Sequence, residues 1–232
     1  EWAGLISPQH TAAKLPYILS VGSMLLGCFF LLGVSPDAQS VDIFRASLVL
    51  ILGLLFWLIS LFLLAGYPEN SRLWNDESKI ALMGVLVLVP TFVGVVVLKY
   101  LLPSGFLVLA LVILVAAADV GAYFVGVNFG SRKLAASLSP KKSWEGVWGG
   151  LALSLIVAAG FIWAMHNYLI ALSTIQVLSL LALSVGVTFF SVVGDLIESM
   201  LKRNCGVKDS GAILPGHGGV LDRVDGLVAA TP

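Results

Sequence analysis

Charge is what this chain has least of. Asp, Glu, Lys and Arg make up 11% of its 232 residues, where a soluble domain carries about 25% to keep its surface solvated. A soluble globular fold is therefore excluded. The net charge is zero, so bulk electrostatics select no partner, and no nucleic acid is expected among them. Cysteine is scarce too. Cys28 and Cys205 form no C-x-x-C pair and no zinc spacing, which argues against a thiolate metal centre; the first reads as a small buried hydrophobe, the second as an incidental loop thiol. There is no internal repeat, no low-complexity tract and no cleavable signal pattern. The chain opens at Glu1-Trp2-Ala3-Gly4 without a Met and stops at Thr231-Pro232, just after another apolar stretch begins. It is expected to be a fragment with material missing at both ends.

What is abundant is apolar. Hydrophobic residues account for 59% of the chain and the mean hydropathy is +1.01. They come in runs long enough to cross a bilayer, which takes about 20 residues at a helical rise of about 1.5 Å each. Six spans are predicted, over residues 15–34, 46–66, 79–98, 105–126, 147–165 and 174–194. Backbone groups in hydrocarbon must be satisfied internally, and continuous runs of this length make helices rather than barrel strands. Gly22, Gly27, Gly53, Gly84, Gly94, Gly149 and Gly150 are expected to be close-packing points between helices. Six spans put every Lys and Arg except Arg45 and Lys99 on one side or at its boundary, so that side should be cytoplasmic.

Three features carry candidate chemistry. Asp119 follows the apolar run 106–118, and a carboxylate there costs about 2.5–3.5 kcal/mol on insertion scales unless it faces protein or water. The segment 139–146 contains Lys141, Lys142, Ser143 and Glu145; Pro140 ends any preceding helix, and a helix N-terminus beside two lysines suits a phosphate. The third feature runs from Asp195 to Asp225. If the sixth helix continues past Gly194, then Asp195, Glu198, Ser199 and Lys202 share one face. Asp222 and Asp225 would pair on a second helix. Between the two helices the glycines around His217 permit positive φ and close approach of a phosphate or metal to the backbone. Clustered carboxylates interspersed with Lys and Arg are what a magnesium–polyphosphate complex needs. His10 and His166 read as loop residues.

The third segment resembles the signature of the phosphatidate cytidylyltransferases. The residues that carry the likeness are Ser199, Leu201, Lys202, Arg203, Lys208, Asp209, Gly211, Leu214, Pro215, His217, Gly218, Gly219, Val220, Asp222, Arg223, Val224 and Asp225. Asp119-x-Gly-Ala-Tyr and Ser139-Pro-Lys-Lys-Ser-x-Glu-Gly are similar to two upstream motifs of that family, with Ser143 where Thr is common. The opening Glu1-Trp2 is similar to the end of an early family helix. The resemblance implies an all-α polytopic bundle with a polar active-site cavity at the cytoplasmic side of a bacterial inner membrane. It further implies a homodimer, with residues 1–104 as scaffold and dimer region and 105–232 as the catalytic part. The implied reaction joins CTP, or its deoxy form, to phosphatidate with release of pyrophosphate, dependent on Mg²⁺. Asp195, Asp222 and Asp225 are the implied metal carboxylates, with Asp119 a fourth, and K⁺ can share the cluster. Lys202, Arg203, Lys208 and Arg223 would bind substrate phosphates; Lys141 and Lys142, with Ser143 and Glu145 beside them, would hold the triphosphate or lipid head group. Ser199 and His217, with Gly218 and Gly219, would meet phosphate oxygens, and Asp209 would orient a neighbouring lysine.

Two rivals were weighed. A transporter could use Asp119 and Asp195 as ion sites, but it would favour inverted repeats, and none is present. Asp222-x2-Asp225-Gly226-x2-Ala229 resembles the start of the CDP-alcohol phosphotransferase motif, but Ala230 stands where that motif needs Arg.

Overall fold

The structure, a computed structural model, describes residues 1–6, 11–35, 40–102, 105–216 and 218–232, the side chains of 11–13 excepted. Nine helices and one hairpin follow in order among these residues: α1 (Trp2–Ile6), α2 (Thr11–Leu31), α3 (Ile43–Ala65), α4 (Ser71–Trp74), α5 (Glu77–Leu101), α6 (Phe106–Phe129), β1 (Lys133–Ala135), β2 (Ser139–Ser143), α7 (Trp144–Tyr168), α8 (Thr174–Asn204) and α9 (Leu221–Ala230). Helices α2, α3, α5, α6, α7 and α8 are long and apolar enough to cross a membrane, matching the six expected spans. Among the described residues, besides an isolated Leu214–Gly218 bridge, the strand structure is the antiparallel pair β1–β2. It forms where Pro140 forbids a helix and a short return loop leaves the backbone only its neighbour to bond to.

The spans pack through small residues, as helices must when surrounding lipid is as apolar as their own side chains. The α6–α7 seam is the tightest. A Cβ on Gly150 would meet the Ala118 carbonyl oxygen at 2.6 Å, and one on Gly146 would meet that of Ala122 at 2.9 Å. Gly53 on α3 makes room for the ring of Pro90 on α5. Gly84 yields to Trp2 and Tyr17, and Gly94 to Thr231. Gly22 and Gly27 are a correction: a Cβ on either would meet nothing within 4 Å. They lie on α2, whose other side chains are largely exposed, so that face meets the surroundings rather than another helix.

Helix α8 positions the site. Its start is a capping box between Ser173 and Gln176, and Gly206 just past its end has φ +69°, the left-handed conformation that commonly closes a helix. Its 31 residues span about 46 Å, well beyond the ~30 Å hydrocarbon core. A helix of that length can reach past the hydrocarbon, and its C-terminal turns carry Asp195, Glu198, Ser199 and Lys202. Beneath these polar groups lies the largest apolar cluster, in which Trp2, Trp57, Val87, Ile197, Met200 and Leu201 are buried. It joins α1, α3, α5 and α8 into a floor. Helix α9 crosses α8 where Gly194 faces the Asp225 carbonyl and Gly226 faces Ser191, and Thr91 of α5 donates to the Val228 carbonyl at 2.9 Å.

Candidate active site

Two lysines organise the polar end of the bundle. Lys202 sits between two carboxylates, 2.6 Å from Asp222 Oδ1 and 3.3 Å from Glu198 Oε2. Asp222 also accepts from the backbone N–H groups of Gly219 at 2.7 Å and Ser210 at 2.9 Å. Its side chain is only 10% exposed. Burial alone would raise its pKa, but the Lys202 ammonium and these two N–H groups outweigh burial and hold the carboxyl below the usual carboxylate range. One carboxylate thus ties α8, the 208–219 segment and α9 into a single unit.

The second lysine, Lys142 at the end of β2, forms an ion pair with Asp195. This pair is more open, with the Asp195 side chain 34% exposed; among the described residues the other group on it is the Ser199 hydroxyl, at a long 3.4 Å. Asp119 on α6 lies near enough to feel the charges of Asp195 and Lys142. The three features that were far apart along the chain are thereby brought together.

Asp225, a helical turn beyond Asp222, faces Glu198 and the Asp195 charge. Burial first, and then Asp195, push its carboxyl above the ordinary range. Glu198 is 3% exposed; among the described residues no well-aligned hydrogen bond reaches its carboxylate, whose charge partner is the Lys202 ammonium at 3.3 Å. This residue was visible in the sequence as part of the α8 face, four positions before Lys202, but no role was assigned to it. Among the described residues no group of three His, Cys, Asp or Glu side chains converges to enclose an ion unaided. The donor set is nonetheless all oxygen and carries excess negative charge, with Asp119, Asp195, Glu198, Asp222 and Asp225 set against Lys142 and Lys202. A hard cation bound by one or two carboxylates and completed by substrate phosphates fits such a set.

Other predicted residues fall as follows. Ser143 is buried and caps α7 by accepting from the Gly146 N–H at 3.2 Å. Glu145 accepts from the Ser131 hydroxyl at 2.8 Å and from the backbone N–H groups of Ser131 and Arg132, so its carboxylate holds the turn before β1. Lys141, Arg203, Lys208 and Arg223 are exposed at the rim. Among the described residues, Lys141, Arg203 and Lys208 are in no ion pair. Asp209 lies against the Gly218 turn and, among the described residues, pairs with no lysine; its expected part in orienting one is not seen. Gly218 adopts φ +83° and Gly216 φ +73°, the left-handed turn expected of this segment. Gly219 instead leaves space for Ser210 and Glu1. His217 and His10 lie outside the described residues, and His166 sits at the end of α7, where its Nδ1 accepts from Leu172 N–H.

A polytopic helical membrane protein that gathers carboxylates, lysines and a glycine turn at one end has the makings of a phosphate-handling membrane enzyme. The chain belongs to the Cytidylyltransferase family, whose model matches residues 1–232. It is 40% identical to the phosphatidate cytidylyltransferase of Pseudomonas aeruginosa over 232 residues, 100% of this chain and 80% of that protein. It is also 40% identical to that of Haemophilus influenzae, over 100% of this chain and 82% of the relative. The protein of the same name from Bacillus subtilis is 43% identical over 120 residues, 52% of this chain.

Proposed function

We infer that this protein is a phosphatidate cytidylyltransferase, converting CTP and phosphatidate to CDP-diacylglycerol and pyrophosphate. The observation that carries the reading is the single unit built on Asp222: the segment that resembles the family signature closes through that carboxylate onto Lys202.

In this reading an oxygen of the lipid phosphate attacks the α-phosphorus of CTP, and the bond to the bridging α–β oxygen breaks as pyrophosphate leaves. The nucleophile needs no general base, because a phosphate monoester with a second pKa of about 6 is already anionic near pH 7. The residues therefore position and neutralise, as in other phosphoryl transfers. Lys141, Arg203, Lys208 and Arg223 supply positive charge at the rim for the phosphates of both substrates. Lys142 gives up Asp195 and turns to a phosphate oxygen as the site fills. Asp195 and Asp225, with Asp119 and Glu198 beside them, would hold Mg²⁺, and a K⁺ ion is compatible with the same oxygen donors. When bound, Mg²⁺ neutralises charge on the leaving pyrophosphate. Asp222 keeps Lys202 and the glycine turn in place and would lend its remaining acceptor capacity to the same ion. The Lys and Arg distribution supports a cytoplasmic site in a bacterial inner membrane.

The test is pyrophosphate release by the purified protein in detergent with phosphatidate and Mg²⁺, comparing CTP and dCTP with ATP, GTP and UTP. Release that requires both phosphatidate and a cytidine nucleotide, and that stops with EDTA, is expected. Folded protein that releases nothing with any nucleotide would overturn the assignment.

A further inference from the structure

Helix α9 starts without a capping side chain of its own, because Val220 at its N-cap has no acceptor to offer. The N–H groups of Val220 and Leu221 are met from the other end of the chain. Glu1 Oε1 accepts from Val220 at 2.8 Å and Glu1 Oε2 from Leu221 at 2.6 Å. The Glu1 carboxylate thereby lies at the positive end of α9, where a negative charge is favoured. Neighbouring contacts fix the approach. Trp2 is buried and donates from Nε1 to the Ile80 carbonyl at 2.9 Å, and Cys205 Sγ donates to the Leu5 carbonyl at 3.0 Å.

The same carboxylate explains two glycines of the signature segment. A Cβ on Gly211 would meet Glu1 and no other residue first, with Oε1 at 2.8 Å and Cγ at 2.9 Å. No positive φ accompanies Gly211, so its lack of a side chain is needed for Glu1 and not for the turn. A Cβ on Gly219 would likewise meet Glu1 Oε1 at 2.9 Å, besides Ser210 Oγ.

We propose that Glu1 is a positioning residue: by capping α9 from across the chain, it fixes the depth and rotation at which Asp222 and Asp225 face α8. Asp222 follows the capped Leu221 directly and Asp225 lies one turn further on, so a shift of the helix start moves both carboxylates together. The activity readouts rest on the cytidylyltransferase reading; the exchange and unfolding readouts do not.

The experiment is a double-mutant cycle on Glu1→Ala and Gly211→Ala in the detergent-solubilised full chain. Either change alone should lower turnover about tenfold, the scale of losing a charged cap. Glu1 can avoid a Gly211→Ala side chain only by leaving the two N–H groups, so the double variant should be no worse than Glu1→Ala. Both single variants should raise the Mg²⁺ concentration for half-maximal rate, which a mere loss of folded protein would not move. Glu1→Gln, which keeps two side-chain acceptor lone pairs on one oxygen, should recover part of the loss. Amide exchange at Val220 and Leu221 should quicken at least tenfold in Glu1→Ala (roughly the free energy of the lost bonds) while the α5 amides stay as they were. Additive losses in the cycle, or unchanged exchange at those two amides, would overturn the proposal. If the unmodified protein releases no pyrophosphate, the functional reading fails, and exchange together with the same cycle on the unfolding midpoint still decides the role of Glu1.

Discussion

The two lysine–carboxylate pairs at the polar end differ in how much else each carboxylate holds. Asp222 takes Lys202, Gly219 N–H and Ser210 N–H and is 10% exposed. Asp195 takes Lys142 and a long contact from Ser199 and is 34% exposed. A carboxylate that accepts from two backbone N–H groups and a lysine is a fastening, since releasing it would strand several buried donors at about 1–3 kcal/mol each. A carboxylate held by one partly exposed lysine can change partners, because a solvent-accessible pair is worth about 0–1 kcal/mol. The molecule thus places a rigid latch beside an exchangeable pair, which is what a site that assembles around incoming charged ligands requires.

The sharpest way to break this contrast is to neutralise each carboxylate in turn. Asp195→Asn is expected to lower pyrophosphate release by at least about a hundredfold, the scale of losing an electrostatic contact to the transition state, with the unfolding midpoint unchanged. Full activity in that variant would remove Asp195 from the metal set. Asp222→Asn should act first on stability. It leaves Lys202 with only Glu198 in a buried setting, a loss of about 3–5 kcal/mol readable as a fall in the unfolding midpoint. Equal effects of the two changes on stability would erase the distinction between latch and exchangeable pair.

Acid provides a finer test. The Asp222 carboxyl is held below its unfolded value, so its contribution to stability is present above about pH 3.9 and is lost only as pH falls through the lower folded value. The stability difference between the unmodified protein and Asp222→Asn should therefore stay constant from pH 7 to about pH 5 and shrink below about pH 4. A difference already declining at pH 6 would contradict the latch. The smallest effect is expected from Lys142→Met: stability within about 1 kcal/mol, turnover reduced about tenfold, mainly through a raised KM for CTP. A change in the unfolding midpoint as large as that of Asp222→Asn would show that Lys142 is structural.

Much of the architecture was legible because a bilayer imposes a simple length rule, and the six runs obey it. The α8 extension was readable as a conditional, since the polar face of Asp195, Glu198, Ser199 and Lys202 is periodic only in a helix. Among the described residues, Gly22 and Gly27 meet no other helix of this chain; composition cannot tell which face of a helix its neighbours cover. Glu1 was noticed only as part of a resemblance. Its partners are backbone N–H groups more than two hundred residues away, and a backbone donor leaves no mark in the sequence.

By itself, then, the sequence determined six helices long and apolar enough to cross a membrane and which residue types gather in its polar segments, because hydropathy and helical spacing are local properties. Only the tertiary structure decided which lysine holds which carboxylate, that Asp222 is held by three donors while Asp195 is more open, and that Glu1 caps α9. Those are relations among separate segments, and their distances are set by how the helices pack.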